Sequence, residues 1–119
     1  MKKVLLAATL LFALILFSSF LFAAGDTPCQ SSGLITSSQL VANAGHQLCS
    51  VLIITDGTNA ATAIVYDGTS ASGTVLFKGT VSGTGNFGGG DAGGPIMGYS
   101  GIYVSLSGSG SPAVIVYFR

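Results

Sequence analysis

Tryptophan and glutamate are absent from this chain, histidine occurs once, and charged residues make up 7% of it. Each shortage removes a class of function. Beyond Lys2 and Lys3 the only cationic side chains are Lys78 and Arg119. That is too few to neutralise a run of phosphates, so nucleic acid is not an expected partner. The acidic residues Asp26, Asp56, Asp67 and Asp91 are scattered and leave no carboxylate pair for acid–base hydrolysis. His46 has no Cys-x-x-Cys companion, so no metal is expected. A Gly-x-Ser-x-Gly nucleophile elbow is also missing. Asp56, Asp67 and Asp91 could in principle hold calcium, but no Asp-x-Asp-x-Asp loop exists and Asp-Gly is first a turn signal. None of Asn43, Asn59 and Asn86 opens a glycosylation sequon. The expectation is a non-enzymatic chain without a cofactor.

What is present begins at the N-terminus. Lys2-Lys3 precede an apolar run from Val4 to Phe22, broken only by Thr9, Ser18 and Ser19. Ala23-Ala24-Gly25 then offer small residues for cleavage before Asp26, which is the layout of a secretory signal peptide. At about 1.5 Å per residue the same run nearly crosses a bilayer core as a helix, so a retained signal-anchor is the alternative. Either way residues 26–119 are expected outside the cytoplasm, as one domain, after a hydrophobic N-terminal helix over 1–25. Any membrane contact runs through residues 1–25 if they stay attached. Cys29 and Cys49 are the only cysteines, and an even count in an exported chain suggests one disulfide. Free buried thiols or intermolecular pairing are the alternatives. A loop of this length would be stabilised by about 3 kcal/mol in the chain-entropy description.

Beyond the export segment no stretch holds a helical apolar period. Short runs rich in Val, Ile, Thr and Tyr recur instead, bounded by Gly, Asp, Asn and Ser. Gln47–Thr55 is apolar on both faces: Leu48, Leu52 and Ile54 fall on one side, Cys49, Val51 and Ile53 on the other. That predicts a central strand. Further strands are predicted at Ala61–Tyr66, Thr74–Val81, Gly101–Leu106 and Pro112–Phe118. Within Thr74–Val81, alternation turns Val75, Phe77 and Val81 inward, with Leu76 the exception. Weaker strands are predicted at Leu34–Thr36, Gln39–Asn43 and around Ile96-Met97. About eight short antiparallel strands with Asp-Gly and Gly-Ser turns between them predict a β-sandwich or jelly roll.

Residues 82–95 read SGTGNFGGGDAGGP, and Gly83 to Gly88 fits the letters of a dinucleotide fingerprint. The fingerprint needs a helix opening on its last glycine. Here more glycines and Pro95 follow, and glycine is a poor helix former. A mobile surface loop is therefore predicted, with Phe87 pinning it to the body. Phe87, Tyr99 and Tyr103 are the candidate surface-contact residues. His46, after Gly45, reads as a solvated loop residue.

The stretch from Ser31 to Gly83, with YSGIYVSLSGSGSPAVIVYF after it, resembles a family of small β-sandwich proteins of tailed-phage and prophage genomes. The marks are Gly33-Leu34-Ile35, Thr55-Asp56-Gly57-Thr58-Asn59, Ala61-Thr62, Tyr66-Asp67, Ala71-Ser72-Gly73-Thr74, Gly101-Ile102-Tyr103 and Ile115-Val116-Tyr117. The resemblance implies a virion-associated structural protein without catalytic residues. The export segment and the two cysteines depart from it and favour a secreted or surface-anchored relative. Scarcity of charge, and the absence of charge inside Gln47–Thr55 and Pro112–Phe118, imply strands that are central or paired with another subunit, and so self-association into an oligomer or filament. The rival expectation is a monomeric secreted module that recognises carbohydrate or a receptor.

Overall fold

The computed structural model describes residues 27–85 and 87–119. The hydrophobic helix and export segment expected over residues 1–25 lie outside the described residues. Among these residues eight strands form: β1 (Gln30–Ser31), β2 (Gln39–Ala42), β3 (His46–Ile54), β4 (Ala61–Asp67), β5 (Thr74–Val81), β6 (Phe87–Gly98), β7 (Ile102–Gly108) and β8 (Ala113–Phe118). They make two four-stranded sheets with orders β1-β8-β3-β6 and β2-β7-β4-β5, and every pairing is antiparallel. The expected β-sandwich is formed.

The core lies between the sheets. One side supplies Leu48, Val51 and Ile53 from β3, and Val114, Val116 and Phe118 from β8. The other supplies Ala61, Ala63 and Val65 from β4, and Ile102 and Val104 from β7. Within β4, β7 and β8 buried and half-buried residues alternate, because a strand places successive side chains on opposite faces. Both uncharged strands are interior to their sheet: β3 lies between β8 and β6, and β8 between β1 and β3. Their lack of charge therefore reflects burial on both flanks, and it gives no independent argument for an intermolecular edge.

Three expectations are corrected. The first concerns β3. Leu48 is not on the face of Leu52 and Ile54; it is 0% exposed and belongs to the core. Leu48 pairs with Phe118 and Ser50 with Tyr117, so Cys49 is an extra residue in a β-bulge. A bulge resets the two-residue alternation, which brings Leu48 to the side of Val51 and Ile53. The same device acts in β5. Val65 pairs with Phe77 and Tyr66 with Val75, leaving Leu76 extra. Leu76 and Phe77 both pack on the core while Val75 is exposed.

The second correction is the glycine stretch. It is not a mobile loop from Ser82 to Pro95; Phe87–Gly98 is the edge strand β6, with Gly88, Gly89 and Gly90 paired to Ile53, Leu52 and Val51. Glycine is depleted in strands, so tertiary contacts have overridden the local preference. A Cβ on Gly89 would overlap the Val51 carbonyl oxygen, and one on Gly88 would stand 2.8 Å from Val81 Cγ2. Backbone approaches this close are where strand glycines are required. The weak strand expected near Ile96-Met97 is the far end of β6. Opposite the Cys49 bulge the β6 partner jumps from Asp91 to Ile96.

The third correction is local. The segment expected as a strand at Leu34–Thr36 makes only an isolated bridge, Ile35 to Val114, and the ladder with β8 is at Gln30–Ser31 instead. Gly33 has φ +72°, which turns the chain out of extended geometry between the two contacts. The disulfide expected between Cys29 and Cys49 is formed, and no described cysteine is free. It ties the residue before β1 to the bulge of β3.

Candidate functional site: the outer face of the β3 sheet

The inward set Val51, Ile53, Val114 and Val116 fixes what points outward. Leu52 and Ile54 of β3, and Ile115 and Tyr117 of β8, occupy the opposite face and are half-buried. Cross-strand register aligns them in rows: Ile115 beside Leu52, Ala113 beside Ile54, and Phe87 of β6 beyond Ile54. Phe87 is 71% exposed. The glycines of β6 leave this row without side chains, so a shallow groove of about 410 Å³ opens between Phe87 and Tyr117, lined by Ser50, Val51, Leu52 and Gly88 to Gly90. Its lining carries no carboxylate, amine or imidazole. A contiguous apolar face of this kind is suited to a flat apolar contact or to a ring stacked against the aromatic walls.

The opposite sheet also carries an outward apolar row: Leu40, Tyr103, Tyr66 and Val75 align across its four strands. The next row holds Ser105, Ile64 and Lys78, and beyond it Thr62 and Thr80 are joined by a 2.8 Å hydroxyl–hydroxyl bond, so apolar and polar rows are mixed on that face.

One end of the sandwich is closed by a turn network. Asp56 accepts from the backbone N–H of Thr58 at 2.9 Å and of Asn59 at 2.7 Å, and from Asn59 Nδ2 at 2.7 Å. Ser109 Oγ donates to Asn59 Oδ1, which couples the β7–β8 turn to it. Thr55 Oγ1 donates to the Gly85 carbonyl and accepts from Gly57 N–H, holding the chain before β6 against this turn. The Asn59 backbone N–H, the Asn59 side chain and the Thr58 N–H hold the Asp56 carboxyl below its ordinary 3.8. A group whose folded pKa is depressed contributes stability that is present above the unfolded value and is lost as pH falls through the folded one. The expected result is a thermal midpoint that declines below pH 3.8. In Asp56→Asn that decline is shallower, and thermal melts from about pH 5 down to pH 2 check it.

The aromatic candidates named from sequence are dispersed. Phe87 opens β6 and borders the groove; Tyr99, 75% exposed, stands in the turn after its other end; Tyr103 is half-buried on the opposite sheet. Phe87 and Tyr99 are thus separated by the length of β6. His46 is not a solvated loop residue. It begins β3, packs edge-on against Phe118 at 5.5 Å between ring centroids, and donates from Nδ1 to the Asn43 carbonyl at 3.0 Å. Among the described residues no three His, Cys, Asp or Glu side chains gather to form a metal-binding group. Sequence reading missed the groove because its walls come from β6 and β8, which only the β3 pairings bring together. The available signal was that both faces of Gln47–Thr55 and Pro112–Phe118 are apolar.

No family model, curated protein or solved structure matches this chain.

Proposed function

We propose that this chain is an exported, non-catalytic structural subunit that self-associates, in the manner its resemblance to small virion-associated β-sandwiches implies. The observation that carries the reading is the apolar row on the outer face of the β3 sheet: Leu52, Ile54, Ile115 and Tyr117, continued to Phe87. The strand order supports it by analogy. Two sheets ordered β1-β8-β3-β6 and β2-β7-β4-β5 are the arrangement of a jelly roll, a fold used by capsid subunits and by lectins. Contact is made face to face through the apolar rows, with the glycine edge of β6 beside them.

Sedimentation velocity of the exported protein across a concentration series tests this reading. Association that Leu52→Asp abolishes, in a variant whose circular dichroism shows it still folded, is the expected outcome. A native protein that stays monomeric at all concentrations overturns it. The groove between Phe87 and Tyr117 favours one second reading, a monomeric module that stacks a sugar ring there. Calorimetric titration with an oligosaccharide panel separates the two, since that heat signal should vanish in Phe87→Ser. Export itself is checked by the mass of the secreted chain. A first residue at Asp26 establishes cleavage, and a chain retaining residues 1–25 establishes the anchor.

A further inference from the structure

We propose that the β8 edge is an acceptor for residues 30–35 of a second copy of this chain, and that the Cys29–Cys49 disulfide keeps that segment in its own domain. This goes beyond the face contact proposed above. It concerns the opposite edge of the same sheet, and the two can fail independently.

Residues 30–35 form a strap along β8. Gln30 and Ser31 pair with Phe118 and Tyr117. Ser32 N–H donates to the Val116 carbonyl at 2.8 Å, and Val116 N–H donates to Ser32 Oγ at 3.0 Å. After the kink at Gly33, Ile35 and Val114 exchange both backbone bonds at 2.9 and 2.8 Å, and the Ile35 side chain enters the core at 2% exposure. Leu34 between them is 63% exposed. The strap is therefore two short contacts and one buried side chain, interrupted in the middle. The disulfide anchors its start.

What the strap covers is one flank of β8. Its Val114 and Val116 N–H groups and carbonyls bond the strap there, so an uncovered β8 presents unpaired backbone groups of the kind that recruit another strand. The occupant is set by the existing contact. The backbone contacts of the strap end on β8, its disulfide on Cys49 and the Ile35 side chain in the core, and none depends on which copy supplies the strap. Only residues 36–38 link it to β2, and that link is anchored at its far end, where Leu106 N–H donates to Ser38 Oγ at 2.9 Å. A short segment joined to its domain by a single hinge is the arrangement in which identical elements exchange between copies.

A small thiol opens the lock. Two thiol molecules deliver two electrons and two protons to the sulfurs of Cys29 and Cys49 and leave joined as their own disulfide. The strap then holds by its backbone contacts and Ile35 alone, and its place on β8 becomes open to the strap of a neighbour.

The test compares the exported protein as purified, the same protein in excess thiol, and a Cys29→Ser/Cys49→Ser variant. Amide exchange is read at Val114 and Val116, whose N–H groups bond to the strap, and at Val104 in the other sheet as the monitor of global unfolding. Opening the disulfide should speed exchange at Val114 and Val116 more than tenfold while Val104 stays protected. Sedimentation should show concentration-dependent growth that a synthetic peptide of residues 30–36 suppresses. Unchanged exchange and mass overturn the proposal, as does growth that the peptide does not affect. Should the variant lose protection at Val104 as well, a second variant decides. Deleting Thr36 and Ser37 prevents the strap from reaching its own β8, so a disulfide-linked oligomer on a non-reducing gel is expected. A monomer with an internal disulfide overturns the proposal. Leu52→Asp in the thiol-treated protein separates the two contacts: growth that persists belongs to the strap, and growth that disappears overturns the strap proposal.

Discussion

Replacing Leu48 with alanine should destabilise the domain by about 4 kcal/mol, in the upper part of the range for burying a cavity in place of a leucine. Leu48 is 0% exposed and packs in the cluster with Val51, Ile53, Val116 and Phe118. The surrounding positions are held by two sheet ladders and can relax only partly, so most of the cavity persists. In a domain of this size the thermal midpoint should fall by on the order of 20 °C. Leu52→Ala is the matched control. Leu52 lies on the outer face and is half-buried, so its truncation should cost about 1 kcal/mol or less. Urea titrations of both variants read the difference directly. The comparison tests the Cys49 bulge. Simple alternation along β3 puts Leu48 and Leu52 on one face and predicts equal costs, whereas the bulge separates them.

A second pair of substitutions acts on neighbouring glycines with opposite sign. Gly89→Ala should cost about 3 kcal/mol, the upper end for overpacking. Its Cβ meets the Val51 carbonyl oxygen and stands 3.0 Å from Leu52 Cα. These are backbone atoms of the strand it pairs with, so they cannot swing aside and the β3–β6 ladder must part. Gly90→Ala should be neutral or stabilise by about 0.5 kcal/mol. Its Cβ meets nothing nearer than Phe77 Cε2 at 3.7 Å, and the change removes freedom from the unfolded chain. A mobile loop would tolerate both alike. Equal midpoints for the two variants in thermal or urea unfolding would therefore count against β6 as a packed strand.

The candidate face was legible in half. Leu52, Ile54, Ile115 and Tyr117 declare themselves as the surplus apolar side of two strands whose other side already fills a core. Phe87 does not, because its place beside Ile54 depends on a ladder between segments far apart in sequence. The disulfide could be anticipated from count and compartment. Its consequence, a strap held on β8, could not, since Gln30, Ser31 and Ser32 carry no strand signal and owe their position to β8 and Cys49.

The sequence by itself determined the class of this protein. Period-two runs of β-branched residues, separated by Asp-Gly and Gly-Ser turns, admit antiparallel sheets and little else, because both signals are local and act within a few residues. It also singled out β3 and β8 as strands free of charge, and both lie interior to their sheet, where a neighbour on each flank leaves no edge to guard. Tertiary structure alone decided the facing of Leu48 and Val75, because one inserted residue in a ladder reverses every side chain beyond it. It also decided that the run of glycines is a strand. Glycine carries no pattern of its own, so whether it serves as slack chain or as the only residue thin enough to fit depends on the backbone that approaches it. In β6 that backbone is β3.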